Sequence, residues 1–132
     1  MAQSLTDFLM ENPVDGINED VIISERLKDY KFRIRPYSSD EYEAYVKRFR
    51  EIGKKGKISF NDAAFSRAVI IDCTLYPNFS DAEMLKIAGC KTPHEYLDKY
   101  MTAGEIKTLE GKISELSGFD QDLESLVDEV KN

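Results

Sequence analysis

The sequence contains one histidine and two cysteines, and its apolar residues form no long uninterrupted run. A membrane-spanning helix needs about 20 consecutive apolar residues, so the sequence predicts no membrane span. The first residues also lack the basic stretch, followed by an apolar stretch, that marks a secretory signal. These absences predict a cytoplasmic protein. Cys73 and Cys90 are therefore expected to be reduced thiols at or near the core, because a reducing compartment disfavours disulfides.

Patterns that indicate catalysis or metal binding are missing as well. His94 has no recognisable partner for acid–base chemistry, and no His/Cys cluster has the spacing of metal ligands. The glycines of residues 53–57 lack the spacing and the Ser/Thr of a phosphate-binding loop. The acidic residues between 120 and 129 lack the alternating ligands and central glycine of a calcium loop. The sequence therefore predicts a non-enzyme with no metal and no cofactor.

Basic residues are absent from the start of the chain, and charge is unevenly distributed beyond it. Residues 1–20 carry five acids and no Lys or Arg, whereas residues 21–60 have a net charge of +5. Residues 102–132 return to −5, and the whole chain has a net charge of −7. The acidic ends are either solvated faces or contacts for the basic middle, within one chain or between copies of a homo-oligomer. The negative total argues against nucleic acid as the main partner.

The length of 132 residues fits one domain able to bury roughly two thirds of its unfolded surface. The predicted fold class is α+β, mainly α, with an N-terminal β-hairpin packed on a bundle of about five to six short helices. Residues 1–18 are predicted to be an N-terminal arm, flexible because a helix this short is marginal without packing. Residues 19–132 are predicted to form a single α+β domain with an acidic C-terminal helix.

Two short segments predict the hairpin. Residues 20–24 and 30–35 are expected to be antiparallel strands joined by a short polar connection. Tyr30, Phe32 and Ile34 alternate with basic residues, so they would share one face of the second strand. A lone two-stranded hairpin is marginal in water, and this face should therefore pack on helices or on a partner's sheet.

Capping patterns mark the helix starts. A Ser or Thr lies three residues before a Glu in the pairs Ser38 and Glu41, Ser80 and Glu83, and Thr102 and Glu105. A segment from Asn61 to about residue 75 is apolar around most of its circumference, which predicts a central buried helix. Residues 53–57 are predicted to be a basic turn between helices. Gly118 is predicted to end the penultimate helix in the left-handed conformation.

The two amphipathic ends are the candidate partner-binding sites. Residues 4–12 would form a short helix capped by Ser4 or Thr6, and residues 120–131 would form a last, acidic helix. Apolar residues at helical spacing are typical of a helix that enters an apolar groove, although each end could instead pack on the chain's own core. The candidate residues are Leu5, Phe8, Leu9, Met10, Leu123, Leu126, Val127 and Val130.

Several strings occur in an order that resembles a known family. Residues 73–79 read Cys-Thr-Leu-Tyr-Pro-Asn-Phe, residues 102–105 read Thr-Ala-Gly-Glu, and residues 116–120 read Leu-Ser-Gly-Phe-Asp. With Ser-Leu-Thr-Asp-Phe-Leu-Met-Glu-Asn-Pro-Val at residues 4–14, they resemble the XkdN-like tail assembly chaperones. These are small proteins of tailed phages and of phage-like prophages of Gram-positive bacteria.

The resemblance implies a chaperone that binds the tape measure protein, a very long and largely helical chain that sets tail length. Many copies would cover its apolar stripes, keep it soluble and help recruit tail tube subunits, which would then displace them. Such a chaperone would act in the cytoplasm of the bacterial host and be absent from the mature virion.

Two other functions remain open at this stage. The first is a structural tail-completion or head–tail connector subunit that is retained in the virion and pairs through the free edge of its hairpin. The second is a nucleic-acid binder that uses residues 21–60. The alternation in the second strand disfavours nucleic-acid binding, because Tyr30 and Phe32 are on one face of the strand and its Lys and Arg residues are on the other.

Overall fold

The computed structural model describes residues 4–119. Its helices are α1 Leu5–Glu11, α2 Ser39–Phe49, α3 Asp62–Cys73, α4 Ala82–Ile87, α5 Pro93–Tyr100 and α6 Ala103–Leu116. Its strands are β1 Glu19–Val21, β2 Phe32–Ile34, β3 Arg50–Ile52, β4 Ile58–Phe60 and β5 Thr74–Tyr76, and short 3₁₀ turns cover Val14–Gly16 and Lys54–Gly56. The prediction of a mainly helical α+β fold is confirmed.

Helix α3 lies at the centre of the core, as its apolar composition predicts. Val69 and Ile70 are fully buried, and α3 packs most extensively against α6. The buried stripe of α6 consists of Ile106, Leu109 and Ile113, at the i, i+3, i+7 spacing of one helix face. These two helices form the scaffold on which the sheet and the remaining helices pack.

The predicted N-terminal hairpin is present but belongs to a larger sheet. Strand β1 pairs antiparallel with β2, and Val21 lies opposite Phe32. Phe32 and Ile34 are buried as predicted, whereas Tyr30 precedes the strand and is exposed. On its other side β2 pairs antiparallel with β5. The expectation that α3 continues to residue 75 is wrong, because the helix ends at Cys73 and the next three residues extend to pair with β2.

Local capping signals are mostly confirmed. Ser38 and Thr102 each form a complete capping box. The box predicted at Ser80 is wrong, since Asp81 caps α4 by accepting the Glu83 N–H at 3.0 Å. Gly118 has the predicted left-handed conformation, with φ of 99°, and its N–H donates to the Glu115 carbonyl.

A second hairpin was not predicted from the sequence. Strands β3 and β4 pair antiparallel, and the predicted basic turn at residues 53–57 connects them. Ile52 therefore lies on β3, beyond the end of α2 at Phe49. Lys55 and Gly56 have positive φ values of 63° and 73°, so the chain reverses within a few residues.

Candidate protein-interaction surfaces

The predicted binding residues at the N-terminus lie on a helix that touches little else. Ser4 caps α1 by accepting the Asp7 N–H at 3.1 Å, and the helix has no buried residue. Its four large apolar side chains are between 51% and 76% exposed. Leu5, Phe8 and Leu9 share one face, whereas Met10 lies off it. The other predicted residues, Leu123, Leu126, Val127 and Val130, lie outside the described residues.

An aromatic groove, which the sequence did not reveal, opens between the sheet and α5. Its volume is about 470 Å³, within the range of ligand-binding clefts. Its walls come from the loop before β2, the end of β5, the segment after it and α5. The residues lining the aromatic groove are Arg26, Leu27, Tyr30, Lys31, Phe32, Tyr76, Pro77, Phe79, Ala88, Tyr96, Tyr100 and Met101.

Tilted aromatic rings in contact with one another form the floor of the aromatic groove. Phe79 lies 6.5 Å from Phe32 and 5.8 Å from Tyr96, measured between ring centroids. Tyr96 lies 5.2 Å from Tyr100, which is four residues later and on the same face of α5. The Tyr100 hydroxyl donates to the Ala88 carbonyl at 2.6 Å and so holds its ring between α4 and α5. The groove therefore has a preformed apolar floor.

A charged network closes one end of the aromatic groove. Glu105 is only 3% exposed and accepts hydrogen bonds from the Arg26 guanidinium and, at 2.6 Å, from the Ser24 hydroxyl. Arg26 also donates to the Tyr100 carbonyl at 3.0 Å. Hydrogen bonds from Arg26, and smaller contributions from Ser24 and the Thr102 N–H, lower the pKa of Glu105 to about 2 despite its burial. The network ties the loop before β2 to the start of α6.

The rim of the aromatic groove carries basic side chains. Lys31 and Arg26 line it, with the charge of Arg26 paired to Glu105, and the Lys99 ammonium lies 5.4 Å from the centroid of the Tyr100 ring. No acidic residue is among its described lining residues. An apolar floor with a basic rim suits an amphipathic segment with acidic flanks.

The hairpin β3–β4 is the third surface, and we call it the basic hairpin (residues 50–60). Every one of its residues is exposed. Ile52 and Ile58 lie directly opposite each other in its register. Its bases outnumber its single acid, Glu51, by four to one. Phe60 anchors the base of the basic hairpin by packing 5.4 Å from Phe65 of α3.

Among the residues that the structure describes, reactive groups are not gathered into a site. His94 is exposed in the first turn of α5, and both cysteines are buried and free. Burial raises the pKa of the Cys73 thiol to about 11, so it is not an activated nucleophile. Between residues 4 and 119, no three His, Cys, Asp or Glu residues are grouped to hold a metal ion. No helix in that range is long and apolar enough to cross a bilayer.

Exposed apolar surfaces without a reactive centre are typical of a protein-binding domain. The sequence model of the family described as "Phage XkdN-like tail assembly chaperone protein, TAC" matches residues 5–131. The chain belongs to this family. Its role in tail assembly is non-catalytic and implies protein partners.

Two relatives come from Bacillus subtilis (strain 168). The phage-like element PBSX protein XkdN is 27% identical over 138 residues, which cover 97% of this chain and 93% of XkdN. The uncharacterized protein YqbN is 25% identical over the same extent. The crystal structure of YqbN superposes with a TM-score of 0.65 at 21% identity, covering 91% of this chain and 100% of that structure. The two proteins therefore share a fold.

Proposed function

We propose that this chaperone binds the tape measure protein, keeps it soluble in the host cytoplasm and helps recruit the tail tube subunits that then displace it. Family membership supports a role in tail assembly. The proposal that the chaperone binds the tape measure protein rests on the aromatic groove. This groove is a preformed apolar cleft of a size that accepts side chains of an amphipathic helix. A tape measure protein that exposes apolar stripes before the tube forms around it would supply such helices.

The proposed binding residues include those predicted from the sequence. The apolar residues of α1 and the apolar positions between 123 and 130 provide two further contacts with partners of the assembly. Several modest contacts suit the task better than one tight contact, because the chaperone must leave when tail tube protein arrives. Because the chaperone leaves when tail tube protein arrives, it should be absent from the mature virion.

The alternative role, a structural subunit retained in the tail, draws its support from the free edge of the predicted hairpin, which is strand β1 because β2 lies between β1 and β5. That edge strand has only three residues, which limits the pairing it can offer to a neighbouring subunit. Mass spectrometry of purified particles distinguishes the roles. A structural subunit would be found in stoichiometric amounts, whereas the proposed chaperone would be lost.

Co-expression with the cognate tape measure protein tests the proposal. We expect the intact chain to raise the soluble fraction of the tape measure protein and to be pulled down with it. Deleting residues 1–12, or introducing Leu126→Asp with Val130→Asp, should weaken both effects, because a lost apolar anchor removes a large part of a modest affinity. Circular dichroism should confirm that the rest of the protein remains folded.

A matched pair of surface variants tests the aromatic groove. Tyr76→Ser removes an exposed ring from the groove, whereas Ile87→Ser removes an even more exposed apolar side chain that lies outside it. We expect only Tyr76→Ser to reduce the pull-down. Equal binding by both variants would exclude the groove as the site. A tape measure protein that is equally insoluble with and without the intact chain would refute the chaperone function itself.

A further inference from the structure

Residues 4–119 leave one face of the basic hairpin open. Ile52 is 73% exposed and Ile58 is 64% exposed, although they are cross-strand neighbours on that face. A two-stranded hairpin is marginal in water unless one of its faces is packed. Phe60 packs on Phe65 of α3 and so covers the end of the hairpin nearest the helices. The Ile52–Ile58 pair is therefore an apolar patch that a further segment would stabilise.

The charges of the basic hairpin favour an acidic segment as its cover. Its bases are Arg50, Lys54, Lys55 and Lys57. None of these four forms an ion pair with a residue between 4 and 119. Glu51, the one acid of the hairpin, lies on the other face and accepts a hydrogen bond from the Asn61 side chain at 3.1 Å. The open face therefore suits a segment that is apolar along its middle and acidic at its edges.

The end of α6 directs the following residues towards α2. Gly118 has a left-handed conformation and the Phe119 N–H donates to the Ser114 carbonyl at 3.0 Å, so the chain turns as it leaves the helix. The Phe119 ring then lies 5.2 Å from the ring of Tyr42, measured between centroids, in the first half of α2. Helix α2 continues from there to the basic hairpin, which begins at residue 50.

An apolar track on α2 connects Phe119 with the basic hairpin. Tyr42, Val46 and Phe49 have the i, i+4, i+7 spacing of one helix face. Tyr42 is exposed and the other two are partly buried, so the track can accept further contacts. The distance from Tyr42 to Ile52 is at most about 20 Å, for seven helical and three extended residues. A helix of residues 120–132 would be about 20 Å long as well.

We propose that residues 120–132 pack along α2 as a helix and cover the basic hairpin of the same chain. The apolar face of this helix would consist of Leu123, Leu126, Val127 and Val130. Its acids are Asp120, Asp122, Glu124, Asp128 and Glu129, which at helical spacing lie on both sides of that face. The apolar face covers the track and the isoleucines. The last two acids of the segment then meet the lysines of the hairpin turn.

The covalent connection favours this segment over any other acidic helix. It is attached at Phe119, beside the track, so its effective concentration at the hairpin is of millimolar order. The docked helix hides both the basic hairpin and its own apolar face. A partner that contacts residues 123–130 must first displace it, which lowers the apparent affinity of that partner. The contact itself does not rest on tape measure binding, so the protein alone tests it.

Hydrogen exchange in the full chain tests whether the segment covers the basic hairpin. The docked helix should protect the backbone amides of residues 50–60, because the hairpin opens fully only when the segment leaves. Leu126→Asp with Val130→Asp should therefore accelerate exchange in residues 50–60 about tenfold. Exchange in α3 and α6 should not change, which distinguishes loss of the contact from unfolding.

The matched control adds the same two charges to the opposite side of the segment. Gln121→Asp with Ser125→Asp lies away from the apolar face of the proposed helix. Exchange in residues 50–60 should then stay within about twofold of the unmodified protein. Equal exchange rates in the unmodified protein, the apolar-face variant and this control would overturn the proposal.

Charge reversal tests whether the basic hairpin is the surface that the segment contacts. Asp128→Lys with Glu129→Lys should accelerate exchange in residues 50–60, and so should Lys54→Glu with Lys57→Glu. A protein that carries both pairs restores the opposite charges and should regain protection, once intrinsic exchange rates are corrected for. Failure of the combined variant to regain protection would contradict the proposed contact.

Protein concentration distinguishes a contact within one chain from a contact between copies. Protection within one chain should be the same at about 1 μM and about 100 μM, because the segment is always attached to its site. Protection that appears only at the higher concentration would refute the proposal. None of these measurements involves the tape measure protein, so their failure would leave the proposed chaperone function to its own test.

Discussion

Val69→Asp is expected to abolish cooperative folding. Val69 is fully buried in α3, the helix that packs most extensively against α6. An unpaired carboxylate at such a site costs several kcal/mol, whereas a domain of this size has a total stability of about 5–15 kcal/mol. Thermal and urea unfolding followed by circular dichroism should therefore show little or no native transition.

The matched control places the same charge on an exposed position of the same helix. Ala63 lies in the first turn of α3, where an acidic residue is favourable because of the helix dipole. Ala63→Asp should therefore unfold within about 1 kcal/mol of the unmodified protein. A Val69→Asp variant that melts like Ala63→Asp would show that α3 is not the central helix.

Replacing Glu105 should lower stability and change its dependence on pH. Glu105→Gln keeps the shape of the side chain but removes the charge that holds Arg26 and Ser24. We expect a loss of about 1–2 kcal/mol near neutral pH, the lower part of the range for charged hydrogen bonds, because Arg26 is half exposed and screened by water.

The sign of the pH effect follows from the lowered pKa. Folding lowers the pKa of Glu105 from 4.5 to about 2, so its ionised form stabilises the folded state. That stabilisation is complete above the unfolded pKa and is lost as the pH falls towards the folded pKa. The free-energy difference between the unmodified protein and Glu105→Gln should therefore shrink from pH about 5 to pH about 2.

Glu115→Gln is the control, since it makes the same change on an exposed position of α6. Urea unfolding at several pH values should show no comparable difference for this variant. A Glu105→Gln variant whose deficit stays constant down to pH about 2 would contradict the lowered pKa.

Features with a local sequence signal were predicted well. Capping boxes and the apolar circumference of α3 depend on residues within a few positions of one another, so the sequence shows them directly. The amphipathic helix α1 was predicted for the same reason. Asp72, near the end of α3, was visible too, but its partner was not: its carboxylate accepts the Tyr45 hydroxyl at 2.7 Å from another helix.

Features built from segments that are far apart in the sequence were not predicted. Strand β5 forms because it can pair with the edge of β2. The three residues themselves carry no sequence pattern that would predict this pairing. The aromatic groove draws on residues between 26 and 101, and only Tyr96 and Tyr100 are neighbours at helical spacing. In the basic hairpin, Ile52 lies three residues after Phe49. This is the spacing of one helix face, so the sequence alone suggests that Ile52 belongs to α2.

A backbone hydrogen bond at the base of the basic hairpin joins the end of α2 to the start of α3. The Asn61 N–H donates to the Phe49 carbonyl at 2.9 Å, so the two helices are joined at their ends before the hairpin begins. Residues 50–60 can therefore be regarded as an insertion whose length is independent of the core. Loop closure depends only weakly on length, so relatives could lengthen, shorten or replace this segment at little cost in stability. Partner choice could then diversify while the helical scaffold stays the same.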